Sequence, residues 1–137
     1  MAGQFTRLQK TYRIIDEDGV KLYTGVVFAG ENSCKKPDAD NMTPLGVVDN
    51  DERIDDPMRA GGNQAGKNVA VKLEGIASIT CAANVEAGDR VILADGGHVK
   101  PVAETSGAYH VLGFAEKDGE EGDVIPVRMA YHVYTVE

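Results

Sequence analysis

Three blocks of sequence recur in the same order in the two halves of this chain. Residues 26–29 correspond to residues 91–94 at an offset of 65, and residues 44–49 correspond to residues 111–116 at an offset of 67. Residues 68–75 correspond to residues 124–131 at an offset of 56. The drop in the last offset predicts an insertion of about eleven residues within residues 50–66, which indicates a long surface loop. Chance similarity between such short blocks is the alternative explanation.

The blocks consist of short runs rich in β-branched residues, and several of these runs alternate with period two. Val69, Val71 and Leu73 would share one face of a strand, as would Ile125 and Val127. Glycine-containing turns separate the runs, and no segment has helical periodicity over three turns. The sequence therefore predicts an all-β fold. Each half is too small to bury a sheet face alone, so we expect a compact small β-barrel or β-sandwich with internal pseudo-duplication.

The length of 137 residues fits one domain. We expect an extended N-terminal arm over residues 1–15, followed by a single β domain over residues 16–137 with approximate halves 16–80 and 81–137. The arm is basic, since no acid precedes Asp16. A frayed terminus is one interpretation, and an arm that becomes ordered against a partner is the other. The predicted partner-binding residues are Phe5, Arg7, Leu8, Lys10 and Tyr12.

Charge and hydropathy exclude several classes of partner. The chain has 14 basic and 22 acidic residues, giving a net charge of −8, which argues against binding to nucleic acid or to an anionic membrane surface. No apolar run approaches the roughly 18 residues that span a membrane. The N-terminus lacks the apolar stretch of a secretory signal. We therefore expect Cys34 and Cys81 to be reduced thiols.

No motif predicts catalysis, a cofactor or a metal. Residues 61–67 have the spacing of a phosphate-binding loop, but Asn68 stands where Ser or Thr should hold magnesium, and a strand rather than a helix follows. The acidic clusters lack the spacing of a calcium loop, and the three histidines are too scattered for a zinc site. The sequence predicts a protein that is not an enzyme and has no metal or cofactor. A hydrolase that uses residues 61–67 is the remaining catalytic alternative.

Residues 69–129 resemble the capsid decoration (cement or head-stabilisation) proteins of tailed bacteriophages. Three motifs carry the resemblance: a strand ending in Leu73-Glu74-Gly75, the turn Ala87-Gly88-Asp89 before a strand, and Leu112-Gly113-Phe114-Ala115 before the last strand. Residues 51–66 and 131–137 have no clear counterpart in that family.

The resemblance implies a structural virion protein on the capsid exterior, made in the host cytoplasm, that binds the major capsid protein and stabilises its contacts. It also implies self-association as a homotrimer. The alternative is a small monomeric β-barrel that serves as a ligand-binding or carrier-like module. Residues 85–91 are similar to a turn of lipoyl and biotinyl carrier domains, but the lysine that those domains display at a hairpin tip is missing here.

Overall fold

The computed structural model describes residues 5–49 and 66–137. This part of the chain is all β, as predicted, and its helix content is nil. The predicted insertion falls on residues that are not described, except for Gly66. The strands are β1 (Phe5–Ile14), β2 (Thr24–Gly30), β3 (Ser33–Lys35), β4 (Gly46–Val48), β5 (Asn68–Thr80), β6 (Arg90–Leu93), β7 (Val99–Pro101), β8 (Gly107–Ala115) and β9 (Val124–Val136).

Five strands close into a first barrel, in the order β1-β3-β2-β4-β5 with β5 returning to β1. The contact that closes it is long: β1 pairs antiparallel with β5 from Phe5 to Arg13, and it pairs parallel with β3 at Arg13 and Ile14.

A second barrel uses the C-terminal part of β5. From β5 the sheet continues as β9-β8-β6-β7, and a parallel bridge between Cys81 and Val99 brings β7 back beside the end of β5. The thirteen residues of β5 therefore run through both barrels. The C-terminal part of β5 has the same place in the second barrel as β1 has in the first.

Strand pairing confirms the predicted duplication, because paired residues in one barrel correspond to paired residues in the other at the sequence offsets. The matching pairs are Val26–Gly46 with Val91–Gly113, Val47–Lys72 with Phe114–Arg128, and Ile14–Cys34 with Cys81–Val99. Gly46 and Gly113 also share one steric reason. A Cβ atom on Gly46 would overlap the carbonyl oxygen of Lys72, and one on Gly113 would overlap that of Arg128.

Each barrel has its own aliphatic core, and the cores meet at the first barrel's outer face. Val27 and Val47, which point out of the first barrel, belong to the second core. The first core contains Tyr12, Ile14, Val20, Val26, Cys34, Val48, Val69 and Val71. The second also contains Ala77, Ile79, Cys81, Val85, Val91, Leu93, Val99, Leu112, Ala115, Ile125 and Val127. Cys34 and Cys81 are both buried and form no disulfide.

The N-terminal segment is extended, as predicted, but it is a barrel strand rather than a separate arm. Tyr12 pairs with Val69 of β5 and Ile14 pairs with Cys34 of β3, and all four side chains are buried in the first core. The predicted boundary at residue 15 therefore does not coincide with a boundary in the sheet. Alternation of polar and apolar residues over Thr11–Ile14 is the sequence signal of this strand.

Candidate docking surface

The predicted partner-binding residues lie on β1, where some of them are exposed and one is buried. Arg7, Leu8 and Lys10 are exposed, whereas Tyr12 lies in the first core and is not available as a contact anchor. The Arg7 guanidinium approaches the Glu74 carboxylate at 3.6 Å. The side chain of Phe5 lies outside the described part of the structure. A role for Arg7, Leu8 and Lys10 in partner binding stays a prediction.

The junction between the barrels contains a buried ion pair. Lys72 Nζ lies 2.9 Å from Asp49 Oδ2, and the two side chains are 0% and 1% exposed. Lys72 also donates to the carbonyl oxygen of Ile76 at 3.0 Å, and the Ser78 amide donates to Asp49 at 2.9 Å. Ile76 and Ser78 belong to the part of β5 that enters the second barrel. The continuation of β5 therefore supplies the partners that a buried charge needs.

The second barrel repeats this ion pair on its surface. Arg128 corresponds to Lys72 at the offset of 56, and Glu116 corresponds to Asp49 at the offset of 67. Arg128 Nε lies 3.8 Å from Glu116 Oε1, with the two side chains 61% and 43% exposed. The pair of the first barrel is buried because the second barrel packs over it, whereas within the described residues the pair of the second barrel is exposed.

Stacked arginine and aromatic groups cover much of this outer face of the second barrel. The Arg90 guanidinium carbon lies 4.1 Å from the Tyr134 ring centre and 5.5 Å from that of Phe114. Arg90 Nε donates to His132 Nε2 at 3.2 Å, and the His132 ring stacks on Phe114 at 5.5 Å. Arg128 contacts the same Phe114 ring at 5.4 Å. Cation–π contacts of this kind shield an aromatic ring while they keep the surface charged.

Beyond this cluster, β8 and β9 continue together as a two-stranded extension, residues 107–111 paired with residues 132–136, which we name the terminal ribbon. His132 and Tyr134 face the arginine–aromatic cluster. Tyr131 and Val133 are on the opposite face, and both are 53% exposed. The Tyr131 hydroxyl is 2.9 Å from His110 Nδ1, and the two rings are stacked. The ribbon therefore has one covered face and one exposed, largely apolar face.

A cleft of about 570 Å³ opens where β9 leaves the side of β5. Its apolar lining includes the equivalent residues Leu45 and Leu112, and Leu73 and Met129, while Arg7, Glu74 and Arg128 supply charge. The cleft is a place where an apolar side chain of a partner could insert.

The ionisable groups of the described residues do not converge on a reaction centre. Burial, aided by Asp16, raises the pKa of Cys34 to about 12, and burial with Asp123 raises the pKa of Cys81, so both thiols are poor nucleophiles. Burial and then Lys21 lower the pKa of His98. Residues 5–49 and 66–137 hold no cluster of three or more metal-ligating side chains, and no helix there is long and apolar enough to cross a membrane.

The motifs that carry the family resemblance have structural roles. In the turn before β6, the Glu86 amide donates to the Asp89 carboxylate at 2.9 Å, and Gly88 has a φ of 92°. Gly113 allows β8 to approach β9. These residues specify a turn and a close strand pair, so they predict a fold rather than a binding chemistry.

No protein-family model and no curated protein sequence matches this chain. Its fold is similar to that of a solved structure, the crystal structure of the head fiber gp8.5 N base of bacteriophage phi29. The TM-score is 0.61 with 17% sequence identity, and the match covers 90% of this chain and 93% of the other. At that identity the similarity establishes a shared fold over almost the whole of both chains.

Sequence analysis predicted that the N-terminal segment is extended, but it did not predict that this segment is a barrel strand, and it did not single out the surface residues of the terminal ribbon. Tyr131 and Val133 lie in the segment that has no clear counterpart in the decoration proteins. A signal was present, since the third repeated block continues beyond Met129 in register with β5.

Proposed function

We propose that this chain is a structural component of a bacteriophage virion that binds the outer surface of the assembled capsid and stabilises contacts between major capsid proteins. The single observation that carries the proposal is the shared fold with a phage head fiber base over 90% of the chain. The resemblance of residues 69–129 to capsid decoration proteins supports it independently.

Attachment to a capsid requires a contact surface on a rigid fold, and it does not require reactive side chains. A protein that binds only the assembled shell stabilises that shell by mass action, and repeated contacts raise its effective affinity. Two barrels joined by one continuous strand form a rigid module, and the net charge of −8 opposes binding to packaged DNA. By this proposal the protein is not an enzyme, its partner is the major capsid protein, and it self-associates as a homotrimer.

The test uses heads of the phage that encodes the chain, prepared without this protein. Purified protein should co-sediment with the heads to saturation, and the decorated heads should release DNA at a higher temperature than undecorated heads. Heads that bind the protein without saturation, or that do not bind it, would contradict the proposal. Free major capsid protein is the control, since binding should require the assembled shell.

The cleft of about 570 Å³ favours a second candidate, a monomeric ligand-binding module. Its size is within the range of small-molecule sites. A monomeric mass combined with a ligand-dependent rise in melting temperature, abolished by Leu45→Asp in a variant that stays folded, would support this function over capsid binding.

A further inference from the structure

Strands β5 and β9 are equivalent along their whole length, and they differ in what covers them. Both contain thirteen residues, and the offset of 56 relates their first residues and their last residues alike. Burial is the same over the first four positions and then diverges. Ala77 and Ile79 of β5 are completely buried, whereas the equivalent Val133 and Thr135 of β9 are exposed.

The chain itself shows what covers such a face. Ala77 and Ile79 belong to the second core, where strands of the second barrel enclose them. Val133 and Thr135 have the equivalent place on β9, but within the described residues they are exposed, and β8 pairs beside them. The exposed face of β9 is therefore equivalent to an interior face of this fold.

Apolar and aromatic side chains continue from this face onto the first barrel. Val133 is the cross-strand partner of His110, so the two share a face with Tyr131. His110 in turn lines a depression of about 350 Å³ with Phe28 and Met42, and Phe28 is exposed. We name these five residues the terminal face. Phe28, Tyr131 and Val133 are exposed large hydrophobic residues, and a group of this kind marks an interaction site.

The edge of β8 beside this face is already occupied. The Asn41 side chain donates to the carbonyl oxygen of Ala108 at 2.9 Å and accepts from the amide of His110 at 2.7 Å. The side-chain amide of Asn41 makes the hydrogen bonds that a neighbouring strand would make. It therefore blocks pairing with another chain at these positions. A partner therefore cannot add a strand at this edge of β8, and the contact that we infer for the terminal face is made through side chains, as between packed sheets.

We propose that the terminal face packs against a second copy of this chain. A module of this same fold covers the equivalent face of β5 within the chain, and another copy presents such a module. The inference rests on the proposed function, because it assigns the surface through which the virion protein self-associates. Packing would bury Val133 and Tyr131, in the way that Ala77 and Ile79 are buried in the second core.

The test compares Val133→Asp with Ile15→Asp, since both wild-type side chains are β-branched and about half exposed, at 53% and 50%. Light scattering coupled to gel filtration measures the mass across a wide range of protein concentration. Wild type and Ile15→Asp should have a mass that is a multiple of 14.6 kDa, and Val133→Asp should have the monomer mass. Tyr131→Ser should weaken self-association in the same direction, and circular dichroism verifies that each variant is folded.

A wild type that is monomeric at every concentration, or a Val133→Asp oligomer indistinguishable from wild type, would overturn the inference. Head binding separates this failure from failure of the function. A monomer that saturates heads refutes the terminal-face interface and leaves the virion role standing. An oligomer that Val133→Asp dissociates but that never binds heads does the reverse.

Discussion

Lys72 and Arg128 are equivalent residues in two equivalent strands, yet their surroundings give them opposite energetics. Lys72 is completely buried with Asp49 and has backbone partners in the following barrel. Arg128 is exposed with Glu116. Removing one member of a buried pair leaves an uncompensated charge, which costs about 3–5 kcal/mol. An exposed pair contributes less than about 1 kcal/mol.

Lys72→Met should therefore lower the free energy of unfolding by about 3–5 kcal/mol, whereas Arg128→Met should change it by less than about 1 kcal/mol. Urea denaturation followed by circular dichroism measures both values. Similar losses in the two variants would mean that the junction does not bury the charge of Lys72.

Because of Cys34, we expect the free energy of unfolding to depend on pH in the alkaline range. Burial raises the pKa of its thiol from 9.0 to about 12, so between these values the unfolded state loses the thiol proton while the folded state retains it. The folded state is then disfavoured as pH rises, by at most about 1.4 kcal/mol per pH unit. Below pH 9 this penalty is absent.

The stability difference between wild type and Cys34→Ala should consequently shrink as pH rises from about 9 towards 12, because only wild type has this thiol. Denaturation at a series of pH values gives the difference directly. A constant difference over that range would show that the thiol titrates equally in both states.

At the scale of single elements, β1 shows how a segment can be predicted to be extended while its place in the sheet is missed. Its alternating residues were visible in the sequence, but its basic, acid-free composition suggested a separate arm. Placement in the barrel depends on β3 and β5, which lie about 20 and 55 residues further along the chain. Such long-range pairing leaves little local trace in the sequence.

Substitutions along β1 separate the two roles. Ile14→Asp places a carboxylate in the first core, where its burial costs several kcal/mol. We expect this variant to be unfolded at room temperature and to show no cooperative transition on heating. Leu8→Asp, on the exposed part of the same strand, should leave the melting temperature close to that of wild type. A stable Ile14→Asp variant would contradict the placement of β1 in the barrel.

Repeated blocks predicted the duplicated fold because equivalent steric demands leave equivalent residues, as at Gly46 and Gly113. The same sequence offsets relate the two ion pairs, Asp49 with Lys72 and Glu116 with Arg128. What the sequence did not reveal was their difference in burial, since that depends on the packing of one barrel over the other. For the same reason the exposure of Val133, which lies in a strand of alternating residues, could not be predicted from the sequence.

At the scale of the whole molecule, the described residues form two barrels with different exposed surfaces. The first barrel exposes Arg7, Leu8 and Lys10 on β1, and the second ends in the arginine–aromatic cluster and the terminal ribbon.

Cryo-electron microscopy of heads before and after incubation with the purified protein tests the central claim most directly. We expect difference density confined to the outer surface of the shell, repeated at symmetry-related positions and large enough for both barrels. Identical maps, or additional density only inside the shell, would contradict the assignment of this chain to the capsid exterior.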